Sequence, residues 1–221
     1  MMTNLFSVFD PSTGMMSLNW SSTTLGMLML PAMFWLLPSR IMKMNMLFIK
    51  MLSNELKMLM NKNSKGNLLM FNSMFMFILY NNMMGLFPYI FTSSSHLVFT
   101  LTMALPMWLS LMIFGWLTKT NKMFSHLIPI GTPPILMPFM VCMETTSNLI
   151  RPGSLAVRLT ANMIAGHLLM TLLGNMTLNS SKMIIMMILS VQMMLMMFEV
   201  AVSIIQSYVF TVLSTLYSSE I

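Results

Sequence analysis

An all-α, polytopic membrane protein is the fold class predicted by three observations. Charged side chains are scarce: 11 Lys and Arg with 5 Asp and Glu make up 7% of 221 residues, against roughly 25% in a soluble domain. Mean hydropathy is +0.79. Apolar runs near the length needed to cross a bilayer recur along the chain, separated by short polar turns. One membrane domain over residues 1–221 is the expected organisation, and a soluble globular enzyme is excluded.

The net charge of +6 does not point to nucleic acid, because the basic residues are not interleaved with polar and aromatic sequence as a binding face requires. Six of them fall between Arg40 and Lys65, the pattern of a topological signal beside apolar spans and of contact with anionic headgroups. Cys142, the single cysteine, excludes an intrachain disulfide and is expected to be a small buried residue. The 35 Met residues stand where Ile, Leu or Val would serve, as packing rather than a metal site. The opening MMTNLFSVFDPS lacks the basic start and apolar core of a secretory signal and the Arg-rich character of a transit peptide, so insertion is expected where the chain is made.

The first expected crossing is 18–37, with Trp20 and Trp35 near its ends and Pro38 closing it. Over 40–61, Lys43, Lys50 and Lys57 recur every seven residues and share a stripe with Asn54 and Asn61 among Met, Leu, Ile and Phe, predicting an amphipathic helix along a membrane surface. A helical hairpin follows over 68–117. Its first arm, Leu68 to Ile90, is interrupted by Asn81, Asn82, Gly85 and Pro88, and Thr92 to His96 forms its tight turn. His96 and His126 are expected in interfacial loops. Lys119 and Lys122 then fall on the side of the 40–65 cluster, as the positive-inside rule requires.

Residues 133–217 are expected to form a hairpin of two long helices, the first broken only near Arg151, Pro152 and Gly153. About 40 residues at 1.5 Å each span roughly 60 Å, twice the ~30 Å hydrocarbon thickness. Such a helix must tilt steeply, bend at Pro152 or fold back.

Ionisable groups in apolar helices cost a few kcal/mol and call for a pairing or a transport role. On the first long helix Glu144, Asn148, Arg151, Arg158 and Asn162 fall within an arc of roughly 80° if the helix continues through Pro152. On the second, Gln192, Glu199, Ser203 and Gln206 share a face. Arg158 cannot lose its proton, so it is a fixed charge able to hold or release a carboxylate. Glu144, Glu199 and His167 can change protonation, and the Asn, Gln and Ser side chains can order water between them. Together they describe a proton path with an electrostatic gate; the plain alternative is ion pairing within the bundle. His167 lies about 180° from Arg158 on an ideal helix. Arg151 and Glu220 are expected at the interface. The small residues Ala156, Ala161, Ala165 and Gly166 permit tight packing or the close approach of a partner helix.

RPGSLAVRLTANMIAGHLL (Arg151 to Leu169), with NLFSVFDPS (Asn4 to Ser12), NNMMGLFPYIFTSSSH (Asn81 to His96), GTPPILMPFMVCMETTSNLIRPG (Gly131 to Gly153) and IQSYVFTVLSTLYSSE (Ile205 to Glu220), resembles the subunit a family of F-type ATP synthases in its mitochondrially encoded, arthropod form. The resemblance covers the whole chain. It implies a proton-translocating stator, without catalytic residues of its own, beside a rotating ring of c subunits that each carry one buried carboxylate. Arg158 matches the family's essential arginine and Gln206 the glutamine facing it. One half-channel involves Glu199 and His167, and a second lies near Glu144 and Asn148; Asn162 and Ser203 belong to the same polar faces.

The family's setting is the mitochondrial inner membrane, with the N-terminus toward the intermembrane space, residues 40–65 toward the matrix, and further membrane-sector and peripheral-stalk subunits as partners. No cofactor, metal or nucleic acid is implied. Competing readings are another proton-conducting transporter or a respiratory-chain membrane subunit. A haem protein needs paired axial ligands that His96, His126 and His167 do not supply, and a secondary transporter predicts internal repeats that are not found.

Overall fold

The structure is a computed structural model describing residues 5–12, 16–31, 36–60, 65–128, 131–177 and 180–220, with the side chains of residues 65 and 220 outside the description. Trp35, residues 61–64 of the polar turn and the Glu220 side chain therefore lie outside the described residues. All regular structure among the described residues is helical. Three helices there are long and apolar enough to cross a membrane: Leu97–Thr118, Pro134–Thr177 and Lys182–Ser219.

The N-terminal segment differs from the single crossing expected over 18–37. A 3₁₀ turn, Leu18–Ser21, leads into a seven-residue helix α1, Ser22–Leu28, and the helix ends where the Leu30 N–H bonds to the Met27 carbonyl at 3.2 Å. Pro31 follows, and a residue preceding proline is pushed out of the helical region. Before it, a 3₁₀ turn covers Leu5–Phe9. The Ser12 N–H donates to Asp10 Oδ1 at 3.1 Å, holding that carboxyl below its ordinary range.

Helix α2, Arg40–Leu59, begins at Ser39, whose side chain accepts from the Met42 N–H, a standard N-cap after the break at Pro38. Helix α3, Lys65–Gly85, is long enough to cross a bilayer but is not among the three apolar helices. Asn67, Asn72, Ser73, Asn81 and Asn82 dilute its hydropathy. It lies instead at the centre of the molecule, packed against α1, α2 and the last helix, with Phe71, Phe75, Ile78 and both Asn81 and Asn82 buried.

In the turn Thr92 to His96, Thr92 to Ser95 are buried and His96 is half-buried. Ser93–Ser95 form a 3₁₀ turn; Thr92 Oγ1 donates to Ser95 Oγ at 3.1 Å, and Ser95 Oγ–H to the Thr92 carbonyl at 2.7 Å. These bonds replace the water that a loop normally needs. His96, expected in an open interfacial loop, instead stacks on Phe91 at 5.1 Å and lies 5.3 Å from Trp20. The turn carries the chain into α4, Leu97–Thr118, followed by the short α5, Thr120–Leu127.

Helix α6, Met137–Thr177, runs unbroken through Pro152 for 41 residues, and α7, Lys182–Glu220, for 39. Proline removes one hydrogen bond and is tolerated where neighbouring helices support the turn. Here its ring is buried and lines a small gap with Ala104 and Met107 of α4 and Phe210 of α7. Each helix measures roughly 60 Å at 1.5 Å per residue. Cys142 is exposed on α6, against the expectation of burial. In a bilayer, apolar side chains need no protein cover, and packing rather than hydrophobicity decides which face turns inward.

A core of Leu56, Phe71, Ile78, Ala104, Met107, Leu155, Ala156, Leu159 and Phe210 joins α2, α3, α4, α6 and α7. On α7, Ser203, Ser207, Thr211 and Thr215 are buried at four-residue intervals. Their hydroxyls donate within the helix, Ser207 to the Ile204 carbonyl at 2.7 Å and Thr215 to Val212 at 2.8 Å. Small, internally satisfied side chains let α7 approach α3 closely.

Ala156 has 0% exposure in this core. Ala156→Leu overpacks it and should cost about 1–3 kcal/mol, read as a lower thermal midpoint of the detergent-solubilised protein; an unchanged midpoint would show the contact to be loose.

Candidate functional site

The α6–α7 hairpin carries the ionisable residues singled out in the sequence, and the structure separates them into three groups along α6. Because α6 is continuous through Pro152, the stripe of Glu144, Asn148, Arg151, Arg158 and Asn162 does lie on one helix.

Near the start of α6, Glu144, Asn148 and Arg151 line a cavity of about 550 Å³ with His126, Trp108, Trp116 and Tyr217. Arg151 Nη2 lies 3.7 Å from Glu144 Oε1, the two side chains 26% and 40% exposed. Its guanidinium also sits over the Tyr217 ring, 4.9 Å from the centroid. Two helical turns separate Glu144 from Arg151, so their long side chains meet along one face. Pro152 has no N–H, which leaves the Asn148 carbonyl without its helical donor inside this cavity's wall.

Toward the other end, His167 and Glu199 line a cavity of about 720 Å³ with Gln192 and Asn19. The same two residues border a neighbouring cavity of about 350 Å³ shared with Asn162, Gly166 and Gln206. Glu199 is buried, at 9% exposure, and its Oε1 has no hydrogen-bond partner; neither does His167 Nε2. The His167 ring faces the backbone of Gly85 and meets the Phe9 ring edge-on at 6.2 Å. Although His167 points away from Arg158 on α6, α7 brings Glu199 alongside it. Buried polar atoms of this kind are normally satisfied by ordered water, and the cavities supply the room.

Arg158 stands between the two ends. Fourteen residues separate it from Glu144 and eight from Gly166, about 21 Å and 12 Å along the axis. Its side chain is exposed and, among the described residues, makes no ion pair or hydrogen bond. Ser154, Ala161 and Ala165, also exposed, surround it with small side chains on a face left bare by the described residues. Among the described residues no glutamate pairs with Arg158; the arginine within ion-pair distance of a glutamate is Arg151.

The remaining candidates divide. Gln206 and Asn162 share the smaller cavity with Glu199. Ser203 lines no described cavity; its hydroxyl donates to the Val200 carbonyl at 2.8 Å and lies 3.2 Å from Met83 Sδ, so it belongs to the α3–α7 seam.

Sequence reasoning missed two features. Ser22 Oγ, Asn81 Nδ2, both amide atoms of Asn82, Ser94 Oγ and His96 Nε2 are buried without partners, where α1, α3 and the Ser93–Ser95 turn meet. The adjacent Asn81 and Asn82 in an apolar run were the available signal. The second is Gly166: a Cβ there would stand 2.9 Å from Glu199 Cδ and Oε1, so the glycine makes the space the carboxyl occupies. No sequence spacing reveals that contact, because it joins two helices.

Gly166→Ala should therefore displace Glu199 and lower proton conduction by an order of magnitude or more, whereas Gly174→Ala, with nothing within 4 Å, should leave it unchanged. Proton flux into sealed vesicles checks this; equal behaviour of the two variants would show that the Glu199 position is not critical.

Comparison with known proteins gives the family. The pattern of the ATP synthase A chain family matches residues 14–219. The chain is 60% identical over 225 residues to ATP synthase subunit a of Aedes albopictus, 59% over 227 residues to that of Locusta migratoria, and 59% over 223 residues to that of Drosophila melanogaster, each covering 100% of both chains. With its full length aligned to such relatives and its polar hairpin in place, the chain belongs to the ATP synthase A chain family.

Proposed function

We propose that this chain is the proton-translocating, non-catalytic stator subunit of an F-type ATP synthase membrane sector. It passes protons to and from carboxylates on a rotor ring of c subunits and so couples proton motive force to rotation. The observation that carries the reading is the placement of Arg158: a permanent cation, unpaired within the described chain, between two polar cavities on one helix hairpin.

The chemistry follows from that placement. A proton arriving in the His167–Glu199 cavity is relayed through groups that change protonation and through water held by Gln192, Asn162 and Gln206. It neutralises a rotor carboxylate, which can then leave the arginine and enter lipid at far lower cost. After rotation, the carboxylate returns to Arg158, whose charge favours the ionised form and releases the proton toward Glu144 and Asn148. The fixed guanidinium also repels a proton moving directly from one cavity to the other. The driving force is ~2.3 kcal/mol per charge per 100 mV. Ser203 takes part only by seating α7 on α3 one turn from Glu199.

The membrane arrangement belongs to the same proposal. Helices of ~60 Å fit a ~30 Å core only when steeply tilted, which lays the hairpin obliquely across the rotor with its small-residue face inward. The protein sits in the mitochondrial inner membrane, the His167–Glu199 cavity opening toward the intermembrane space and the Glu144 cavity toward the matrix. Helix α3 crosses too, shielded from lipid by α1, α2 and α7. Peripheral-stalk and other membrane-sector subunits cover further surface.

Arg158→Gln should abolish proton-driven ATP synthesis while assembly survives; near-normal synthesis at matched assembly would overturn the assignment. Glu199→Gln should be milder, slowing proton uptake and flattening its dependence on intermembrane-side pH; an unchanged profile would remove Glu199 from the path.

A further inference from the structure

The cavity around Glu144 and Arg151 has a wall that the mechanism does not use. After α4 the chain bends at Lys119, whose φ of −135° and ψ of 49° end that helix and start α5. The Phe124 ring meets Trp116 edge-on at 5.0 Å, which holds the short helix against the end of α4. Residues at i, i+3 and i+4 share one helical face. Met123, His126 and Leu127 have that spacing, and all three line the cavity of about 550 Å³. Met123 and Leu127 are half-buried, whereas His126 is exposed, so its imidazole stands at the rim. Glu144 and Arg151 of α6 and Tyr217 of α7 share the cavity with it. Trp108 and Trp116 come from α4, which adds no ionisable lining group, and Lys119 and Lys122 lie on the α5 side.

We propose that His126 is the group that exchanges protons between the Glu144 cavity and the aqueous phase on the matrix side. The inference rests on the proposed function, in which protons pass Glu144 on that side, and adds the step beyond it. During synthesis, protonated Glu144 passes its proton through cavity water to neutral His126, leaving a carboxylate and an imidazolium. The imidazolium then gives the proton to a buffer base outside. ATP-driven pumping runs the same steps backwards, and magnitudes show that this direction depends on the imidazole. At about pH 8 free hydronium is ~10⁻⁸ M, so a diffusion-limited rate constant of ~10¹⁰ M⁻¹s⁻¹ delivers about 100 protons per second to one site. Turnover of up to ~10³ s⁻¹ needs more. An imidazole titrates near neutral pH and takes protons from buffer molecules, which far outnumber hydronium. Glu144 is less suited to that exchange, because the Arg151 guanidinium 3.7 Å away repels an approaching cation. The charges of Lys119 and Lys122 draw anionic bases such as inorganic phosphate to the rim.

The test is ATP-driven proton uptake by the assembled complex in inside-out membrane vesicles, whose outer face is the matrix side. In weak external buffer at about pH 8, His126→Ala should be slowed about five- to tenfold relative to the native complex. Its rate should also fall more steeply than the native rate as external pH rises, since hydronium supply then limits it. Millimolar imidazole added outside should restore most of the lost rate in His126→Ala and leave the native rate unchanged. Ser125→Ala should behave as native, because Ser125 lies on the face of α5 turned from the cavity, its hydroxyl donating to the Lys122 carbonyl at 2.8 Å. Equal rates and pH slopes for the native complex and His126→Ala would overturn the assignment. A loss that imidazole does not repair would overturn it too, marking His126 as a packing residue of α5. Absence of ATP-driven uptake in the native complex would instead overturn the proposed function, and this inference with it.

Discussion

A guanidinium held on the bare face of a long apolar helix constrains everything around it. Arg158 cannot shed its charge and, within the described chain, nothing neutralises it, so the helix is at ease in a membrane only when another molecule brings an anion to that face. The flanking Ser154, Ala161 and Ala165 let such a partner approach closely, and the buried opposite face, with Ala156, Leu159 and Pro152, fixes the orientation. An arginine satisfied inside the bundle would be structural; under the proposed function Arg158 is instead left for a partner's carboxylate.

The other charged groups take their meaning from their distance to Arg158. Arg151 is close to a carboxylate and an aromatic ring, so the Glu144 end of the hairpin carries a partly balanced pair. The Glu199 end carries a buried carboxyl and an imidazole with unpartnered atoms beside cavities. Keeping the two ends apart requires an uninterrupted helix, and α6 provides it by burying Pro152 against α4 and α7. The hydroxyl seam of α7 completes the scaffold by letting α3 deliver Gly85 to His167.

Much of this was legible in the sequence because membrane helices obey strict length and polarity rules. The long hairpin, the amphipathic helix beginning at Arg40 and the polar stripe on α6 all follow from periodicity, and the RPGSLAVRLTANMIAGH block carried the family. What was not legible lies between helices. The turn Thr92 to His96 reads only as a tight turn with His96 at the interface, since nothing local shows that α6 covers it. Ser203 looks equivalent to Glu199 by spacing until α3 is seen to occupy its side. The first expected crossing fails at Leu30 and Pro31, a local signal outweighed by the apolar run around it, and Cys142 is exposed because lipid removes the usual reason for burial.

The central claim is that the Arg158 face is presented to a rotor subunit. Disulfide or short-linker crosslinking in the assembled complex, from Ala161→Cys on that face and Ala156→Cys on the opposite one in a Cys142→Ser background, tests it most directly. The account predicts crosslinks to the rotor from Ala161→Cys and none from Ala156→Cys. Rotor crosslinks from the buried position, or capture of Ala161→Cys only by residues of the same chain, would contradict it.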